Sequence, residues 1–275
     1  MGVWRAVLQG FGLARQLWVA LGAFLVVYAG TGALATLFIP FEVVEGRIRV
    51  PMPTNMAEAL SRLIVGFGIY LIGIGFSLYV LGGMFGALQR LVRKQPVARG
   101  ELRGLAGRWF WGMARWALAF SAITFGLGGA VALIVATLAT AAGGTGAAGA
   151  IMQTAFSGTT VVSGLFLIFS PVVLVERALG AWASLRESCR IVVARPGATI
   201  GIVLCVSTVG ALLYGLWLPV AAVINQIRAG LGIAPFAPGA PVFFFGLVLM
   251  FPQAFLSVYL PAVLQSYYYA RIRAD

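Results

Sequence analysis

Charge falls along this chain in short clusters, and the apolar stretches between them define its elements. Arg15 and Glu42 bound an uncharged run containing "LWVALGAFLVVYAGTGALATLFI", residues 17–39. A second run extends from Leu63 to Gln89, and after Arg115 no charge appears until Glu176, about 60 residues later. That length holds two bilayer crossings with a turn, and the glycine-rich "AAGGTGAAGA" at 141–150 supplies the turn. Further uncharged runs extend from Pro196 to Gln226 and from Ala229 to Ala270, where "GLGIAPFAPGAP", residues 230–241, reads as loop. Apolar stretches of roughly 18 residues or more are long enough for a helix to span a membrane. The pattern therefore predicts an all-α polytopic membrane protein, residues 1–275 forming one transmembrane domain. Its six spans are expected near 17–39, 63–88, 116–140, 151–175, 198–225 and 242–267. The first has the short basic lead of a signal peptide, but its apolar stretch exceeds the usual length, so it reads as a retained anchor.

Composition strengthens this reading. The chain is 61% hydrophobic and only 9% charged, with a mean hydropathy of +1.00; soluble domains carry about a quarter charged residues. The net charge of +12 would suggest nucleic acid in a soluble domain. Here its distribution argues against that partner. The N-terminus, the 89–115 segment, the 176–196 segment and the C-terminal tail hold fifteen of the nineteen Lys and Arg residues. The other side holds Arg47, Arg49, Arg62 and Arg228. Cytoplasmic loops accumulate Lys and Arg, so both termini and both basic loops are expected in the cytoplasm, in a prokaryotic inner membrane.

The basic segments are amphipathic as well as cationic. Leu102, Leu105 and Ala106 lead into Trp109 at helical spacing. Arg103 and Arg108 can reach headgroups, while Trp109 and Trp111 sit at the interface, as in a helix that lies on the membrane before turning into it. The second segment repeats this, with Leu179, Trp182, Leu185 and Cys189 as its stripe and Arg186 and Arg190 beside them; Pro196 then stands where a helix can start. "WRAVLQGFGLARQLW" at the N-terminus is a third such lead. The chain can thus be divided into three units, each a surface helix followed by a transmembrane hairpin. Arg103, Arg108, Trp109, Trp111, Arg186 and Arg190 become the residues expected to contact anionic lipid or a partner subunit.

Candidate chemistry is sparse. Histidine is absent, and Asp275 is the only aspartate, which removes the usual triads and histidine metal ligation. No catalytic activity, metal or cofactor is expected, and Cys189 and Cys205 read as unpaired thiols. Glu176 ends the fourth apolar run. It is expected to cap the following helix or to pair with Arg177, Arg186 or an arginine of the other basic loop. Gly68, Gly75 and Gly82 share a seven-residue spacing; together with the Gly82/Gly86 pair they suggest close helix packing, within the chain or between two copies. Pro171, Pro252 and Pro261 interrupt apolar runs. With Gln253 they mark a candidate midplane site, and a transporter would line it with Gln153, Asn225, Gln253 or Gln265. "FEVVEGRIRVPMP", residues 41–53, reads as a small hairpin around Glu45-Gly46, and "SYYYARIR", residues 266–273, as an interfacial aromatic belt.

At "SPVVLVERALGAWASLRESCRIVVARPGATIGIVL" the chain resembles bacterial and archaeal six-helix proteins similar to the membrane domain of glycerophosphoryl diester phosphodiesterases. Pro171, Glu176, Gly180, "ASLRES" at 183–188 and Arg195 carry the likeness, and "PVARGELRGLAGRWFW" looks like the group's earlier basic loop. The likeness covers roughly residues 90–210 and implies architecture; the catalytic barrel of the fused enzymes is missing here. The expected function is that of a non-enzymatic accessory or transport-related membrane component. The alternative is a stand-alone small-solute or lipid transporter.

Overall fold

The computed structural model describes residues 2–38, 42–44, 47–49, 53–98, 100–141, 148–231 and 240–272. The chain opens with the short α1 (Val3–Gln16) and, after a break at the buried Leu17, the longer α2 (Trp18–Phe38). Strands β1 (Glu42–Val44) and β2 (Arg47–Arg49) pair antiparallel with Val43 opposite Ile48, the register of the small hairpin expected here; its turn residues 45–46 lie outside the described residues.

Helix α3 (Met56–Val92) begins seven residues before the apolar run because "TNMAE" caps it. The Asn55 side chain accepts the Glu58 N–H at 2.8 Å, and the Glu58 carboxylate reaches back to the Thr54 N–H at 2.7 Å. This reciprocal arrangement satisfies donors that the first turn leaves free. The helix ends in a Schellman turn: Gln95 N–H donates to Arg90 O and Lys94 N–H to Leu91 O, with Lys94 at φ 59°.

Helix α4 (Glu101–Ala141) follows, then α5 (Ala148–Leu167), α6 (Ser170–Glu176), α7 (Ala181–Ala194), α8 (Pro196–Gly230), α9 (Ala240–Leu249) and α10 (Phe251–Tyr267), which continues into a π-helical turn, Tyr268–Ile272. The glycine-rich turn at 142–147 and the loop at 232–239 lie outside the described residues. Proline stands in the first turn of α6, α8 and α10 (Pro171, Pro196, Pro252). There its missing N–H costs nothing and its ring prevents the preceding helix from running on.

Among the described residues five helices are long and apolar enough to cross a membrane, or six when α9 and α10, bent by 48° at their junction, count as one broken span. One expectation is corrected. No separate surface helix precedes the third span: α4 runs unbroken for 41 residues, about 60 Å at 1.5 Å per residue, twice the roughly 30 Å of bilayer hydrocarbon. Nothing between Glu101 and Ala141 stops it, because the segment holds neither proline nor a polar turn.

The core gathers where the basic segments meet. Helix α10 runs through it, with Ala254, Val258, Tyr259 and every residue from Pro261 to Tyr268 buried. Helix α1 lies along α10 through Gly10, where any Cβ would collide with the Val263 side chain, and the Tyr259 hydroxyl donates to Val7 O at 3.3 Å. Helices α3 and α4 approach through a glycine seam. A Cβ at Gly83 would lie 2.9 Å from the Leu102 carbonyl oxygen, and one at Gly82 would lie 3.2 Å from Trp109 Cβ. Towards their other ends the helices expose apolar side chains, among them Phe67, Leu71, Phe76, Leu133, Leu138 and Leu216.

Candidate functional site at the basic end

Glu176 is the hub of the basic end. Its side chain is 1% exposed and accepts from Arg93 Nη2 at 2.6 Å and from Gln265 Nε2. Three segments far apart in sequence thus converge on one carboxylate: the end of α3, the end of α6 and the last turns of α10. A buried carboxylate is stable only with such partners. The neighbouring Gln89 donates to Val175 O at 3.1 Å, and Arg177 lies 6.0 Å over the Tyr268 ring. Ala178, just after α6, holds φ 50°, a left-handed conformation that Lys94 also adopts. Among the partners considered from sequence, an arginine of the other basic loop, Arg93, is in place.

The break between α5 and α6 is the second feature of this end. Phe169 N–H donates to Ser188 Oγ at 3.1 Å, and the same hydroxyl donates to Phe166 O at 2.8 Å. Trp116 Nε1 donates to Ser170 Oγ at 2.7 Å. A helix interrupted by Pro171 inside a span leaves backbone groups unpaired; Ser188 of α7 partners Phe169 N–H and Phe166 O, and the Ser170 hydroxyl, held by Trp116 of α4, donates to Leu167 O. Sequence reasoning missed Ser170, Ser188, Trp116 and Arg93. A signal for Ser188 was present: Ser184 and Ser188 stand at i and i+4 on α7 and both are fully buried, so they mark the inward face. The stripe read from sequence is displaced from it. Leu185 is buried, but Trp182 is 65% exposed.

The remaining predicted residues separate into packed and open positions. Trp109 is half-buried and packs on Gly82 and Gly86, with Arg108 5.6 Å over its ring, whereas Trp111 is 68% exposed. Tyr267 and Tyr268 are buried in the core rather than placed in an outer belt. Of the predicted glycine row only Gly82 meets another helix; a Cβ at Gly68 or Gly75 would have nothing within 4 Å. Within α3 the close approaches are at Gly73 against Thr31 and, against α4, at the expected Gly82/Gly86 pair and at Gly83.

The charges at this end are unequally paired. Glu101 holds Arg90 at 2.9 Å, Glu176 holds Arg93, and Glu187 holds Arg177 at 2.8 Å and Arg190 at 3.5 Å. Arg103, Arg108, Arg115 and Arg186 are exposed, and among the described residues none of them stands in an ion pair.

Two of the cavities among the described residues lie against the basic α7 and around Gln253. One, of about 580 Å³, lies between α4, α5 and α7, with walls that include Leu127, Val162, Phe166 and Leu185 and with Arg186 also lining it. Cys189 lines it too, and burial pushes its thiol up from the ordinary value. The other, of about 500 Å³, lies between α8 and α10 and holds Gln253, whose Oε1 accepts the Tyr214 hydroxyl at 2.9 Å. Pro252 and Pro171 are buried. Gln253 and Gln265 do not share a site: they lie twelve residues apart on α10, about 18 Å along a helix. Gln153 and Asn225 are exposed.

No family model, curated protein or solved structure matches the chain.

Proposed function

We propose that this protein is a non-enzymatic, accessory or transport-related component of a prokaryotic cytoplasmic membrane, with its basic end and both termini facing the cytoplasm. That end works by binding, first to anionic lipid headgroups and through them or beside them to a partner subunit. The supporting observation is the unequal pairing of charge. The glutamates of this end are tied to arginines within the chain, so they serve the fold, while Arg103, Arg108, Arg115 and Arg186 stay exposed and, among the described residues, without an ion-pair partner. Each such cation near an anionic leaflet contributes about 1 kcal/mol of attraction, and the positive-inside bias supports the orientation. The resemblance to phosphodiesterase membrane domains agrees with a helical membrane scaffold. Native mass spectrometry of protein extracted gently from its own membrane tests this. Retained anionic lipid or a stoichiometric second polypeptide supports the reading; a bare protein, indifferent to lipid charge, sinks it.

A second reading is a stand-alone small-solute or lipid transporter, favoured by the α8–α10 cavity and its Tyr214–Gln253 hydrogen bond. Solute flux in proteoliposomes that Gln253→Leu abolishes, with the melting temperature unchanged, would establish it.

A further inference from the structure

The cavity between α4, α5 and α7 joins an apolar wall to an unpaired cation. Ile123, Leu127 and Val131 line it from α4, Val162 and Phe166 from α5, and Leu185 and Arg186 from α7. Trp182, 65% exposed, also lines it beside Arg186. From Ile123 to Val131 the helix rises about 12 Å, close to the roughly 15 Å of hydrocarbon in one leaflet. We infer that this cavity seats one acyl chain of an anionic phospholipid, whose phosphate meets Arg186. The inference rests on the reading that the basic end faces anionic lipid, and it names the residues that select one lipid from many.

A lipid tail gains no hydrophobic transfer energy by leaving its neighbours for this cavity, because both surroundings are apolar. It is held by close packing and by its headgroup charge. Arg186 is suited to that charge, since its guanidinium can take a phosphate through two parallel N–H donors. The adjacent acid, Glu187, is already engaged by Arg177 and Arg190.

The test is native mass spectrometry of the full chain from micelles doped with equal phosphatidylglycerol and phosphatidylcholine. Wild type is expected to keep one tightly held phosphatidylglycerol in preference to phosphatidylcholine. Arg186→Gln, at an exposed position, should lower that retention at least fivefold. Val162→Trp should fill the cavity and lose the tightly held lipid, its folding checked by an unchanged melting temperature; Leu127→Phe is the milder second variant. An Arg103→Gln/Arg108→Gln pair should lose loosely held anionic lipids and keep the tight one. If that pair releases the tight lipid while Arg186→Gln retains it, the cavity assignment is overturned and the broader reading stands. If wild type holds both lipids equally, neither survives.

Discussion

The two ends of this bundle use the same apolar residues and close very differently. At the basic end α1, α6, α7 and the last turns of α10 wrap Glu176, Ser188 and Gln265 in a packed core. At the other end α3, α4 and α8 leave Phe67, Leu133 and Leu216 exposed. In water each such side chain would cost about 2 kcal/mol; in lipid it costs nothing. The difference lies in polar groups. Apolar surface is satisfied by acyl chains, whereas a buried carboxylate or an interrupted helix backbone must find protein partners. Specific packing therefore concentrates where the polar atoms are.

That contrast can be broken most sharply at Glu176. Glu176→Ala leaves Arg93 and Gln265 without their acceptor and should cost about 3 kcal/mol, read as a lowered melting temperature in detergent, with Glu176→Gln milder. Unchanged melting would remove the hub from the account. Ser188→Ala should cost about 2 kcal/mol, because the buried Phe169 N–H loses its acceptor. At the open end Thr137→Ala, which loses only a bond to Leu133 O on its own helix, should stay within about 0.5 kcal/mol. Glycine sharpens the comparison further. Gly83→Ala puts a methyl against the Leu102 carbonyl and should cost about 1.5 kcal/mol. Gly75→Ala, with open space around it, should be neutral or stabilising by roughly 0.5 kcal/mol. If Gly75→Ala instead destabilises, or changes the mass of the assembly, a second copy covers the open end. A similarly small effect is expected from Lys94→Gly and Ala178→Gly, each relieving a left-handed residue and stabilising by about 0.5 kcal/mol.

Much of the fold was legible because span length and charge placement are local properties. The apolar runs located the helices that are long and apolar enough to cross a membrane, Pro196 did begin α8, and the hairpin near Glu45 has its two strands. The candidate site was less legible. Arginines of either basic loop were open to Glu176 on charge alone; which one pairs with it depends on α3 ending beside α6. Trp109 looked interfacial because it follows arginines, yet it faces the glycine seam of α3. Tyr267 and Tyr268 carry the composition of a belt, and the path of α10 through the core buries them.

By itself the sequence determined the solvent and the elements: a chain with 9% charged residues, gathered in a few segments, cannot cover itself in water and must form apolar helices between those segments. Only the tertiary structure decided which polar groups meet. Hydropathy and propensity act over neighbouring residues, whereas the partners of Glu176 and Ser188 lie up to 89 residues away and are brought together by how the helices cross.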